Sequence, residues 1–133
     1  MRTVTLAFLA ALAASAPVNA QADLTGSDWL AEDIMGGGVV DRARSTFQAL
    51  PEGRVAGSSG CNRFTGTGVV SDGKVAIGSL ATTRLACAEA LMNQESKYLK
   101  ALAASTRYEL GSDGLLRFYD TAGAVTLRFS RVM

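Results

Sequence analysis

The residues able to do chemistry in this chain are few. There is no histidine, which removes the commonest general base near neutral pH and the commonest metal ligand. Two cysteines, Cys61 and Cys87, stand far apart in the sequence. They cannot form a Cys–His nucleophile pair, and two lone thiolates do not make a usual zinc set. An even count in an exported chain favours a disulfide, with two buried free thiols as the alternative. A bridge would close a loop of 27 residues counting both ends, which the chain-entropy model values at roughly 3.5 kcal/mol. Gly57-Ser58-Ser59-Gly60-Cys61-Asn62 sets serines among glycines, but the spacing is not that of a nucleophile elbow and no triad can be completed. Gly36-Gly37-Gly38 lacks the Lys-Ser or Lys-Thr of a phosphate-binding loop. Carboxylates working in pairs remain. Asp72, Asp113 and Asp120 each lie within three residues of a glycine and read as turn formers. Glu95 is the exception, because its neighbours place it on an apolar surface.

That surface belongs to the one segment with helical character. From Ala88 to Ala104 there is no Gly or Pro, and Ala, Leu, Glu, Gln and Lys dominate. At 100° per residue, Ala88, Leu91, Met92, Tyr98, Leu99, Leu102 and Ala103 fall within an arc of about 140°. Asn93, Gln94, Ser96, Lys97 and Lys100 fall on the other side. Glu95 sits at the middle of the apolar arc. A carboxylate there needs a partner, and Arg63, Arg84 or loop N–H groups are the candidates. We expect Glu95 to be largely buried and to set the register of helix on sheet.

Elsewhere the chain alternates with a period of two between turn signals. Strands are expected at Trp29–Ile34, Thr46–Leu50, Arg54–Ser58, Phe64–Val70, Lys74–Ile77, Tyr108–Leu110, Leu115–Tyr119 and Val125–Arg131. Pro51-Glu52-Gly53, Ser71-Asp72-Gly73 and Ser112-Asp113-Gly114 supply the turns. In the last strand, Val125, Leu127 and Phe129 alternate with Thr126, Arg128 and Ser130, as in a strand with one face on the core. The fold class is α+β, mainly β: a curled antiparallel sheet of about seven or eight strands, a partly closed barrel, packed on one amphipathic helix.

The chain has 133 residues, and the first twenty read as a secretory signal peptide. Arg2 supplies the positive start, Val4–Ala14 the apolar stretch, and Val18-Asn19-Ala20 the small residues before a cut that leaves Gln21 first. The apolar run is short for a span, which takes ~20 residues. No cysteine near the cut offers a lipid attachment point. Residues 21–133 then form a single domain, with twelve basic residues left once Arg2 is removed against twelve acidic ones. That balance argues against nucleic acid or an electrostatic membrane anchor as partner.

Gly60-Cys61-Asn62-Arg63-Phe64-Thr65-Gly66, then Ile77 to Leu80, then Thr82-Thr83-Arg84-Leu85-Ala86-Cys87, then Glu95-x-x-Tyr98-Leu99 together resemble the META domain, whose bacterial members are the HslJ-like heat-shock proteins. Trp29, the Gly57 turn and the terminal hairpin fit as well, so that the resemblance covers residues 24–132. Leu85 stands where many members have Met. The resemblance implies a barrel-like antiparallel sheet against one helix in an envelope protein, periplasmic or secreted. It links the chain to heat shock, antibiotic resistance and the stress response. It supplies no catalytic residue, cofactor or metal. Gly60, Asn62, Phe64, Gly66 and Glu95 therefore read as structural motif residues, the glycines suiting bends or bulges and Asn62 bonding neighbouring backbone. The expected function is a non-catalytic binding or structural module. The partner is an envelope protein or a small ligand, and the chain is expected to be a monomer with no membrane span. The alternatives are a carboxylate-dependent enzyme and an inhibitor of another envelope protein.

Overall fold

The turn signals divide the chain into hairpins, and the computed structural model, which describes residues 2–5, 7 and 22–132, shows eight strands and one helix. The strands are β1 (Asp28–Ile34), β2 (Thr46–Leu50), β3 (Arg54–Ser58), β4 (Arg63–Ser71), β5 (Lys74–Thr82), β6 (Arg107–Leu110), β7 (Leu116–Tyr119) and β8 (Val125–Arg131). The helix α1 spans Glu89–Ala104, between β5 and β6. The expected signal peptide and its cut after Ala20 fall, apart from residues 2–5 and 7, outside the described residues. Among the described residues no helix is long and apolar enough to cross a membrane.

Each strand pairs antiparallel with the next in sequence, and β8 returns to β1 with Trp29 opposite Arg131 and Ala31 opposite Phe129. The result is a closed ring of uneven strength. β4 and β5 form a long hairpin through Asp72-Gly73, interrupted by a register shift between Gly66 and Gly68. β5 and β6 meet at a single register pair, Lys74 with Arg107, supported by the Val75 N–H on Thr106 O and the Tyr108 N–H on Gly73 O. Beyond that seam the far half of β5 pairs with β4 on one edge and, among the described residues, with no strand on the other. The helix packs on β1, β5 and β8.

Alternation puts Trp29, Phe47, Val55, Phe64, Tyr108, Phe118, Leu127 and Phe129 inside the ring, where each is nearly or wholly excluded from solvent. Phe118 stands edge-on to Phe129 and to Phe47, with ring centroids 5.1 and 5.4 Å apart, a geometry favoured by the ring quadrupoles.

Two expectations about facing are corrected. The buried face of α1 carries Gln94, Tyr98, Ala101 and Leu102, whereas Met92 is 46% exposed. The helix is thus turned so that small Ala101 meets the core and Ala103 faces water. The turn is possible because Gln94, polar on any wheel, finds hydrogen-bond partners inside. In β8, Val125 points outward and Thr126 inward. The register shift between Phe118 and Tyr119 on β7 changes the facing there, and the Thr126 hydroxyl is met by Ser105 Oγ at 2.7 Å.

Candidate functional site

The Gly-Cys-Asn loop joins β3 to β4 and is held from three directions. Gly60 adopts φ +107°, a conformation that side-chain-bearing residues rarely hold. Cys61 is bridged to Cys87, with Cα atoms 5.9 Å apart, so the loop is tied to the segment that enters α1. Asn62, nearly buried, is the hub. Its Oδ1 accepts from the Leu85 N–H at 2.7 Å and from Thr83 Oγ1 at 2.9 Å. Its Nδ2 donates to Leu85 O at 3.3 Å and to Glu95 Oε2 at 3.2 Å. The other carboxylate oxygen of Glu95 accepts from the fully buried Ser59 hydroxyl at 2.6 Å.

Glu95 therefore does bind the motif loop, but its expected partners are corrected. It is half-buried, not largely buried, and neither Arg63 nor Arg84 pairs with it among the described residues. The rotation of α1 moves Glu95 off the centre of the buried face. There it meets Ser59 and Asn62, while the Arg63 side chain faces outward from the start of β4. Neutral donors satisfy the carboxylate without bringing a second charge out of water.

Sequence reasoning missed Gln94. It is 4% exposed and donates through Nε2 to Ala43 O and Ser45 Oγ, both at 3.0 Å, while its Oε1 accepts from the Val40 N–H at 2.6 Å. Adjacent helix residues thus fasten two loops, Gln94 the one before β2 and Glu95 the one before β4. Phe64 lies in the core, its ring centroid 6.0 Å from that of Tyr98. The Tyr98 hydroxyl donates to Thr46 O at 2.7 Å, and complete burial pushes its ionisation well above the usual range. Gly66 lies where β4 and β5 cross closely: a Cβ there would stand 2.2 Å from Ser79 O.

A groove of about 810 Å³ opens on the outside of the ring beside this junction. Its lining includes Ala56, Gly57 and Ala81, with Arg44, Arg63, Thr65 and Thr82 among the polar residues. Asp28 also lines it, and its carboxylate accepts from Gln48 Nε2. Neither Arg44 nor Arg63 forms an ion pair among the described residues, where the pairs found are Arg107–Glu109 and Arg117–Asp113. In the second of these, hydrogen bonds from Arg117 and from the Leu115 N–H hold the exposed Asp113 carboxyl down to about 2. A smaller cleft of about 300 Å³ separates the Gly37–Val40 loop from Asn93 and Lys97 of α1. Among the described residues, no three His, Cys, Asp or Glu side chains gather as a metal cluster would require.

The chain is similar to a protein from Burkholderia xenovorans solved by NMR, with 26% identity, a TM-score of 0.71, and coverage of 98% of this chain and 99% of that one. A second NMR structure, 24% identical with a TM-score of 0.62, covers 80% of this chain and 90% of its own and shares the fold. Among curated proteins, none matches the sequence. The family model of the META domain matches residues 22–132, spanning the ring, the helix and the Gly-Cys-Asn junction, and the chain belongs to the META-domain family.

Proposed function

We propose that this protein is an exported, non-catalytic binding module of the cell envelope with a stress-associated role, and that the groove beside the Gly-Cys-Asn junction is its binding surface. The observation that carries the reading is a division of labour. The one motif carboxylate, Glu95, is occupied on both oxygens by donors that hold the frame together. Arg44 and Arg63, in contrast, line an open groove without an ion-pair partner among the described residues. The Cys61–Cys87 bridge supports export, since such bridges persist in oxidising compartments. The leader read from residues 1–20 supports it independently.

The test is made in the native host. The protein should be recovered from the envelope or medium with a mass that begins at Gln21. A photocrosslinking residue at Thr65, in the groove, should trap a ligand or partner that one at Thr121, on the outer β7–β8 hairpin, does not. Glu95→Gln should leave that capture unchanged, whereas a carboxylate-dependent enzyme would lose turnover with it. A mass retaining residues 1–20, or equal trapping from both positions, would defeat the reading.

A further inference from the structure

We propose that the groove binds a small amphiphilic organic anion, its anionic group held by Arg44 and Arg63 and its apolar body lying over Ala56, Ala81 and Val132. The inference deepens the binding-module reading and rests on it. At about 810 Å³, the groove falls within the roughly 300–1,000 Å³ typical of small-molecule sites. Its lining carries two arginines, one aspartate and no other charged side chain. The aspartate, Asp28, sits opposite Gln48 in the β1–β2 register and accepts a hydrogen bond from its side chain. The positive charge is left without an ion pair among the described residues.

A guanidinium offers planar paired donors matched to carboxylate, phosphate or sulfonate oxygens. The exposed Thr65 and Thr82 hydroxyls add donors beside it. The lining, by contrast, also presents the small apolar residues Ala56, Gly57 and Ala81 together with Val132. An inorganic anion would leave that apolar lining wet, and a neutral hydrocarbon would leave the arginines unused. One ligand class uses both: a charged head on a short apolar body.

Decanoate and decyl phosphate, each below its micellar range, are the probes, titrated into the full mature chain and followed by amide chemical shifts. Saturable shifts should centre on Gly57, Ser58, Thr65 and Thr82. The two probes separate a carboxylate head from a phosphate one, and binding of either supports the proposal. The double variant Arg44→Gln with Arg63→Gln should bind about tenfold or more weakly, as the loss of charge-assisted bonds predicts. Both positions are exposed, and the same spectra report whether the fold persists. Arg84→Gln, at an exposed arginine outside the groove, should bind as wild type. The inference falls if neither anion shifts the groove amides, if decyltrimethylammonium binds there equally well, or if the double variant keeps full affinity. It falls also if a short glutamate peptide displaces decanoate, which would point to a protein partner. Failure here combined with position-specific crosslinking at Thr65 would sink the amphiphilic-anion assignment and leave the binding-module reading standing.

Discussion

Glu95 shows how a single side chain can be conspicuous in a sequence and still be misplaced by it. Its type conflicts with its apolar neighbours, so the need for a partner is legible; the partner is not. A helical wheel weighs hydropathy and cannot see that Ser59 and Asn62, some 36 and 33 residues earlier, arrive with a free hydroxyl and amide. The same blindness hides Gln94, whose burial depends on the carbonyl of Ala43 and the hydroxyl of Ser45. Removing the Glu95 carboxylate strands one Asn62 amide donor and leaves the Ser59 hydroxyl only the neutral Asn62 carbonyl as acceptor, and an unpaired buried donor costs about 1–3 kcal/mol. Glu95→Ala should lose stability in that range in urea unfolding. Glu95→Gln should lose less, because the network can turn over. The new amide donates to Ser59 Oγ, the Ser59 proton turns to Asn62 O, 2.9 Å away, and the new amide oxygen still accepts from Asn62. Equal unfolding midpoints for wild type and Glu95→Ala would show that the junction does not depend on this carboxylate.

At the scale of elements, strands bounded by clear turns are legible to their limits. β2 and β3, either side of Pro51-Glu52-Gly53, and β8 have the limits expected from alternation. β5 runs on past the expected end at Ile77 to Thr82, paired with β4 through Thr82 opposite Phe64, and Gly78 fits there because a Cβ would stand 2.5 Å from the Thr67 hydroxyl. Such a glycine is chosen by its neighbour strand, and no local pattern carries that information. Gly57 is the sharpest case. It lies in β3 where the chain passes β2 so closely that a Cβ would stand 2.1 Å from Thr46 O and 2.8 Å from Phe64 Cζ. The Thr46 carbonyl also accepts from Tyr98, so it cannot retreat without breaking the contact between helix and sheet. Gly57→Ala should cost about 1–3 kcal/mol or more, as overpacking does. Gly37→Ala is the control: its Cβ would meet nothing nearer than Ile34 O at 3.5 Å, and it should be close to neutral. Thermal unfolding of the two variants decides the matter, and a Gly57→Ala protein as stable as Gly37→Ala would refute the close-approach account.

Over the whole molecule, the sheet class, its curling toward a barrel and the single helix follow from the sequence, but the pairing that completes the ring does not. Pairing Trp29 with Arg131 joins residues at opposite ends of the domain, and no periodicity reports a contact of that separation. Closure is also uneven, since β5 and β6 share one register pair and α1 lies between them in the chain. The Cys61–Cys87 bridge sits where this matters. It spans 26 residues in sequence, a loop that chain entropy values at roughly 3.5 kcal/mol. It fastens the Gly-Cys-Asn loop to the segment leading from β5 into α1. Reduction should therefore act in two ways. The whole fold should lose stability, seen as a lower urea midpoint. Local opening should also rise unevenly, because the helix keeps only its side-chain contacts while the paired strands keep their ladders. Hydrogen exchange should accelerate more at Leu85 and in the first turns of α1 than in β1, β2 and β8. A double variant, Cys61→Ala with Cys87→Ala, should reproduce both effects without reductant, which separates loss of the bridge from other effects of the reagent. An unchanged midpoint would mean that Asn62, Gln94 and Glu95 hold the helix unaided. A uniform rise in exchange would mean that the bridge acts on the unfolded chain alone, and that the junction of loop and helix gains nothing local from it.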